Sequence, residues 1–269
     1  YEKDFKGAVI VRRALASSLN IPAVLTLNKV GLENFWKMLN ELGFSLEQQA
    51  DYYGNALALG GADINVWQLA NAYRALANQG QLTEASLQLG EHNTTSKTIL
   101  SPQASFIIAD ILSDRNARSL TFGYENALAT PFWSAVKTGT SKDMRDNWCV
   151  GFSRRFTVAV WVGNMQGLPM RDVSGITGAA PVWQLVMNYL EAGAGQSLPP
   201  MPPENVTQQS VEFEGFAQPN YQEWFIDGTE QSKVSYWPNN VAQIVYPVSN
   251  TIIALDPDMP KNYQKNQTL

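Results

Sequence analysis

The sequence predicts a mixed α/β (α+β) fold, an antiparallel sheet flanked by helices, followed by a small all-β module. Three observations carry that prediction. Apolar residues recur at helical spacing in several runs before residue 113, whereas residues 132–162 hold three runs rich in β-branched and aromatic side chains. The proline-rich stretch 197–203 then separates this region from short β-like runs that reach the end of the chain. The totals allow a sizeable core, with 269 residues of which 45% are apolar and 16% charged, a composition that excludes disorder.

Taken in order, residues 9–18 read as a helix with Val11, Ala14, Leu15 and Ser18 on one side. Pro22 suits the first turn of a second helix that runs to Val30. Residues 32–42 form a third, with Phe35, Leu39 and Leu42 at helical spacing and Gly43 as the stop. Residues 56–61 make a short apolar turn. Residues 65–78 are the clearest helix, because Asn65 with Gln68 forms a capping-box pair, Val66, Leu69, Ala70, Tyr73, Leu76 and Ala77 form a stripe, and Gly80 ends it. Another helix runs from Pro102 to about Ser113.

Residues 132–138, 148–152 and 156–162 then read as strands. Ser153-Arg154-Arg155 joins the last two so tightly that they form an antiparallel hairpin. Residues 156–162 are apolar at nearly every position, which predicts cover on both faces and hence helices on both sides of the sheet. A final helix over 181–190 is expected to face inward with Val182, Leu185, Val186 and Tyr189. The division that follows is a main domain over 1–196, a stiff linker over 197–203 and a β-rich module over 204–269, with β-like runs at 211–213, 244–247 and 251–255.

Composition narrows the chemistry. The net charge is −5 and the basic residues are scattered, so no face is built to neutralise phosphates and nucleic acid is not an expected partner. No apolar run is long enough to span a bilayer. The one cysteine, Cys149, sits in an apolar run and reads as a buried small hydrophobe; alone it allows neither an internal disulfide nor a soft-ligand metal cluster. The one histidine, His92, lies in a polar stretch of loop composition, which argues against a zinc site and against a Ser-His-Asp triad. No metal or other cofactor is expected, and any proton transfer needs another base, for which lysine is the candidate. The opening Tyr1-Glu2-Lys3-Asp4-Phe5 lacks an initiator methionine, so the chain is read as a piece of a longer polypeptide and its main fold as incomplete at the N-terminus.

Lys137-Thr138-Gly139-Thr140 stands at the end of a predicted strand. Period-2 geometry puts Thr138 and Thr140 on one face and Lys137 with Gly139 on the other. Gly139 lets another backbone approach, so the edge suits an anionic peptide adding itself as a strand with its carboxylate at the threonine hydroxyls. A solvated strand end with a turn glycine fits the same residue types. Ser18-Leu19-Asn20, ahead of Pro22, reads by itself as helix-boundary capping.

In company the two motifs resemble a family. Penicillin-recognising serine acyltransferases carry Ser-x-x-Lys, then Ser-x-Asn, then Lys-Thr-Gly in that chain order. Here Ser18-Leu19-Asn20 precedes Lys137-Thr138-Gly139-Thr140, and residues 13–24, 69–80 and 146–152 resemble the family's Ser-x-Asn helix, its central helix and the strand after Lys-Thr-Gly. Residues 251–260 are similar to the C-terminal module of the 1C subgroup of bifunctional, class A penicillin-binding proteins. The resemblance implies the penicillin-recognising transpeptidase fold and a D,D-transpeptidase acting on peptidoglycan stem peptides through an acyl-serine, inhibited by β-lactams. It implies Ser18, Asn20 and Lys137 as catalytic residues: Ser18 relaying protons to the leaving amine, Asn20 holding the substrate amide, Lys137 polarising the relay. Thr138, Gly139 and Thr140 would bind the substrate and its carboxylate. It also implies the periplasmic face of a bacterial inner membrane, held through an N-terminal anchor outside this chain, and a C-terminal module that either docks a protein or caps the structure.

One departure matters. Nothing in residues 1–17 has the form Ser-x-x-Lys; Ser134-Ala135-Val136-Lys137 matches it, but on a strand those two side chains lie on opposite faces. The nucleophile is therefore expected outside the chain. A non-catalytic peptide-binding or scaffold module is the alternative. A β-lactamase-like hydrolase is disfavoured, because Trp36-Lys37-Met38-Leu39-Asn40 puts tryptophan where a deacylating glutamate would stand.

Overall fold

The computed structural model describes residues 7–88, 95–193, 195–215 and 219–236. The β-like runs at 244–247 and 251–255, the 251–260 resemblance and His92 lie outside the described residues. The chain opens with α1 (Val11–Ala16), α2 (Asn20–Val30) and α3 (Leu32–Glu41), then a single turn α4 (Ala50–Tyr53) that continues as a 3-10 turn over Gly54–Leu59. Next come α5 (Val66–Ala77), a small hairpin of β1 (Gln81–Thr83) and β2 (Ser96–Thr98), α6 (Pro102–Ser113) and α7 (Arg115–Phe122). The central sheet is β3 (Ala135–Thr140), β4 (Asp146–Phe152) and β5 (Thr157–Gly163); a π turn over Gly175–Ala179 leads into α8 (Ala180–Glu191). A second sheet holds β6 (Val206–Glu214), β7 (Tyr221–Ile226) and β8 (Lys233–Ser235).

The central sheet is antiparallel in the order β3-β4-β5, with Thr138 opposite Cys149 and Cys149 opposite Val160. One face carries Val136, Cys149 and Val160 and packs on Trp183 and Met187 of α8. The other carries Ala135 and Phe152 and packs on Ala109 and Leu112 of α6 and on Tyr73 and Leu76 of α5. Helices thus cover both faces, as the apolar strands predict. β4 is the central strand, and a Cβ on its Gly151 would lie 2.6 Å from Ala135 O and 2.8 Å from the Trp183 ring. Only glycine lets α8 settle this close to the sheet.

The helix signals mostly match. Asn65 Oδ1 accepts from Gln68 N at 2.8 Å while Asn65 N donates to Gln68 Oε1 at 3.1 Å, the reciprocal capping box. Four expectations need correction. The strand predicted over 132–138 begins at Ala135 and runs to Thr140, because Trp133 N instead donates to Ser197 O at 3.0 Å. Helix α1 stops at Ala16, short of Ser18, and its sides differ from those expected: Val11 is 75% exposed and Arg12 is buried among carboxylates. The third concerns β5: helices lie on both faces of the sheet, yet the residues of β5 are half-buried throughout, and among the described residues it pairs with β4 alone. On α8 the inward residues are Ala180, Trp183 and Met187, whereas Leu185 is 71% and Tyr189 80% exposed. The two bulkiest side chains that fit against Gly151 and Cys149 decide which stripe faces in.

The second sheet rests against α6. Trp224 of β7 meets Phe106 of α6 edge to face, with centroids 5.3 Å apart, and Gln103 Nε2 donates to Glu204 O. Residues 196–203 have no regular structure, yet Ser197 is buried and its Oγ donates to Trp133 O at 3.1 Å.

Candidate functional site

The two motifs that the sequence separates meet in space. Lys137 Nζ donates to Ser18 Oγ at 2.6 Å and to the carbonyl of Thr138 at 2.7 Å. Ser18 does not end a helix as expected. It sits in the link between α1 and α2 with φ 58°, a left-handed conformation that a non-glycine residue adopts only when its surroundings hold it. Its neighbour does the holding: Ser17 is fully buried, its Oγ donates to Ala117 O at 2.7 Å, and its carbonyl accepts from Thr121 Oγ1 at 2.8 Å. Asn20 opens α2 and is exposed.

Burial lowers the Lys137 ammonium to about 8, and none of the described ion pairs gives it a carboxylate. Lys137 is thus a donor at neutral pH that can shed its proton within reach of pH 8. Ser134, the other half of the apparent Ser-x-x-Lys match, lies before β3 and shares a hydrogen bond with Thr130 Oγ1 at 2.9 Å, while Lys137 reaches Ser18.

The threonines lie on the opposite face of β3 from Lys137, against the π turn. Thr140 Oγ1 accepts from Gly175 N at 2.9 Å, and a Cβ on Gly175 would stand 3.1 Å from Thr138 Cβ. A hydroxyl that accepts one bond keeps its own proton to donate, and Thr140 is exposed. Among the described residues β3 pairs with β4 alone, so its outer edge is open beside Ser18, Lys137 and Thr140. This edge can take an extended peptide.

Sequence reasoning missed Gly175 and its frame, Ser174 and Thr177, whose capping pair is a readable local signal. The polar loop over 141–147 is readable in the sequence, but the groove it forms with residues 169–172 is not. Asp143, Met144, Pro169, Met170, Arg171 and Asp172 line an open groove of about 460 Å3, and Asp143, Met144 and Asp172 all have positive φ. Cys149, behind Thr138 on β4, is fully buried and burial pushes its thiol up, so it is an inert wall. Among the described residues no group of three His, Cys, Asp or Glu side chains could hold a metal ion. No described helix is long and apolar enough to cross a membrane.

Comparison with known proteins addresses the family and the fold. The family model described as the penicillin-binding protein transpeptidase domain matches residues 1–184. Penicillin-binding protein 1C of Escherichia coli K12 is 30% identical over 241 residues, covering 86% of this chain and 30% of that protein. Penicillin-binding protein 1A of Clostridium botulinum is 30% identical over 248 residues, covering 84% and 30%. Among solved structures, penicillin-binding protein 1A from Haemophilus influenzae superposes with a TM-score of 0.69 at 20% identity, over 84% of this chain and 41% of that one. The chain thus spans 30% of the length of the two relatives compared by sequence.

Proposed function

The chain belongs to the penicillin-binding protein transpeptidase family, and we propose that it supplies the Ser-x-Asn and Lys-Thr-Gly corners of a serine D,D-transpeptidase that cross-links peptidoglycan stem peptides and binds β-lactams. The observation that carries the reading is the 2.6 Å hydrogen bond from Lys137 Nζ to Ser18 Oγ, beside the open edge of β3. The nucleophile is the serine of a Ser-x-x-Lys motif on polypeptide outside this chain, on the periplasmic side of an inner membrane.

The stem peptide lies along β3 as an added strand, and its terminal carboxylate accepts from the hydroxyls of Thr138 and Thr140 past Gly139. Gly175 N–H, bonded to Thr140 Oγ1, keeps that hydroxyl's proton aimed outward. Asn20 holds the substrate amide. The external serine Oγ attacks the penultimate D-Ala carbonyl and passes its own proton, through the lysine of its Ser-x-x-Lys motif, to the Ser18–Lys137 relay; the peptide C–N bond breaks, and the leaving nitrogen takes a proton from Ser18. Lys137, hydrogen-bonded to Ser18, polarises that transfer and replaces the proton. An amine of a second stem peptide then attacks the acyl-serine ester, the C–O bond breaks, and the amine's proton returns through the same relay to the serine. The β-rich segment after residue 203 is proposed as a separate module attached to this domain.

Fluorescent penicillin labelling of the polypeptide that carries this chain with its Ser-x-x-Lys tests the reading. Labelling is expected, with Lys137→Ala slowing acylation by about 10²–10⁴-fold, the usual worth of a positioned proton-transfer group. Unchanged labelling in Lys137→Ala sinks the relay, and absence of labelling in the parent leaves the binding-module reading instead.

A further inference from the structure

We propose that the β6–β7 hairpin positions the proton relay, with Glu223 and Tyr221 acting on Ser18 through Arg12; the inference rests on the reading of Ser18 and Lys137 given above. Helix α1 has six residues and no side-chain cap at its N-terminus, too short to hold itself in water. Its place depends on anchors from elsewhere, and there are two. At its end, Ser17 is pinned to α7 through Ala117 and Thr121. At its first turn, Arg12 is 4% exposed and surrounded by carboxylates.

Those carboxylates come from three elements. Arg12 Nε donates to Glu223 Oε2 at 2.9 Å, its Nη2 to Asp110 Oδ2 of α6 at 2.6 Å, and its Nη1 to Asp114 Oδ2 at 3.3 Å. The guanidinium also stands 5.5 Å from the centroid of the Tyr221 ring. Tyr221 in turn donates its hydroxyl to Asp114 Oδ2 at 2.6 Å, while Asp114 Oδ1 caps α7 by accepting from Ala117 N at 2.9 Å. The hairpin therefore grips both helices that fix Ser17: α1 through Glu223 and Arg12, α7 through Tyr221 and Asp114. A buried guanidinium needs its acceptors in fixed positions, since water cannot replace them. Moving β7 moves Arg12, α1 and the left-handed link that aims Ser18 at Lys137. Among the described residues the side-chain hydrogen bonds of Tyr221 and Glu223 go to Asp114, to Arg12 and to the backbone of Trp224, none of them to β3; they are positioning residues.

The readout is the titration of Lys137 in the full chain, followed by 13C NMR with ε-labelled lysine and assigned by the signal missing in Lys137→Met. Wild-type Lys137 is expected to titrate near 8, held down by burial. Glu223→Ala should displace α1, open the ammonium to water and raise that midpoint by about one unit or more toward the ordinary lysine value, because relief of desolvation outweighs loss of the Ser18 acceptor. Tyr221→Phe, which removes one hydroxyl, should shift it in the same direction by about half as much, and it decides the matter if Glu223→Ala does not fold. A merely structural hairpin would lower the melting temperature of both variants and leave Lys137 at its wild-type midpoint. That outcome overturns the inference alone. An ordinary lysine midpoint in the wild-type chain overturns the relay reading as well.

Discussion

Replacing Gly175 by alanine tests how closely the π turn presses on the Lys-Thr-Gly strand. The added Cβ would stand 2.6 Å from Gly139 O and 2.7 Å from Trp148 O, well inside the ordinary carbon–oxygen contact. Both atoms belong to paired backbone, Gly139 being opposite Trp148 in the β3–β4 ladder, so neither can swing aside as a side-chain tip would. The turn itself must lift away, and the Gly175 N–H bond to Thr140 Oγ1 lengthens with it. Overpacking of this kind costs about 1–3 kcal/mol and the lost hydrogen bond about 1 more, so the variant should lose about 2–4 kcal/mol. For a domain of this size that corresponds to a melting point lower by about 5–15 °C. Gly193→Ala is the control, since nothing lies within 4 Å of its Cβ and its φ is not left-handed. Denaturant unfolding of the two variants, checked for equal m-values, gives the comparison. If Gly175→Ala stays within about 0.5 kcal/mol of Gly193→Ala, the turn does not bear on β3 and the orientation argued for the Thr140 hydroxyl fails.

Two further outcomes follow from buried groups. The Cys149 thiol, fully buried and pushed up by burial, should react with an aromatic disulfide reagent at pH 8 only as fast as the chain unfolds; stoichiometric labelling of native protein within seconds would refute its place behind Thr138. Lys137 falls from 10.5 in the unfolded chain to about 8 in the folded one, so between those values the unfolded chain holds more protons. Its contribution therefore makes stability rise with pH through that window, and Lys137→Met should flatten this component of the pH–stability curve; an unchanged slope would show that the ammonium is not desolvated.

Local chemistry made much of the fold readable. The Asn65–Gln68 box and Pro102 at the first turn of α6 are self-contained signals, satisfied within a few residues, and both helices begin where those residues put them. What stayed hidden depends on distant partners. On α8 the polar residues Gln184, Asn188 and Glu191 recur at helical spacing, yet Glu191 is itself buried, so periodicity alone could not choose the inward face; the choice lies with Gly151 on β4, which leaves room for Trp183. Nothing local in the sequence singles out Arg12 for burial, because the acceptors that allow it stand at Asp110, Asp114 and Glu223. Ser18 and Lys137 are a harder case. Each motif alone suits a helix boundary or a strand end, and only their order along the chain suggested a pairing. The left-handed φ of Ser18 gives a physical reason to take that pairing seriously. A serine free to relax would leave that conformation, so the structure spends buried hydrogen bonds at Ser17 to keep Ser18 facing a lysine that burial has already made readier to give up its proton.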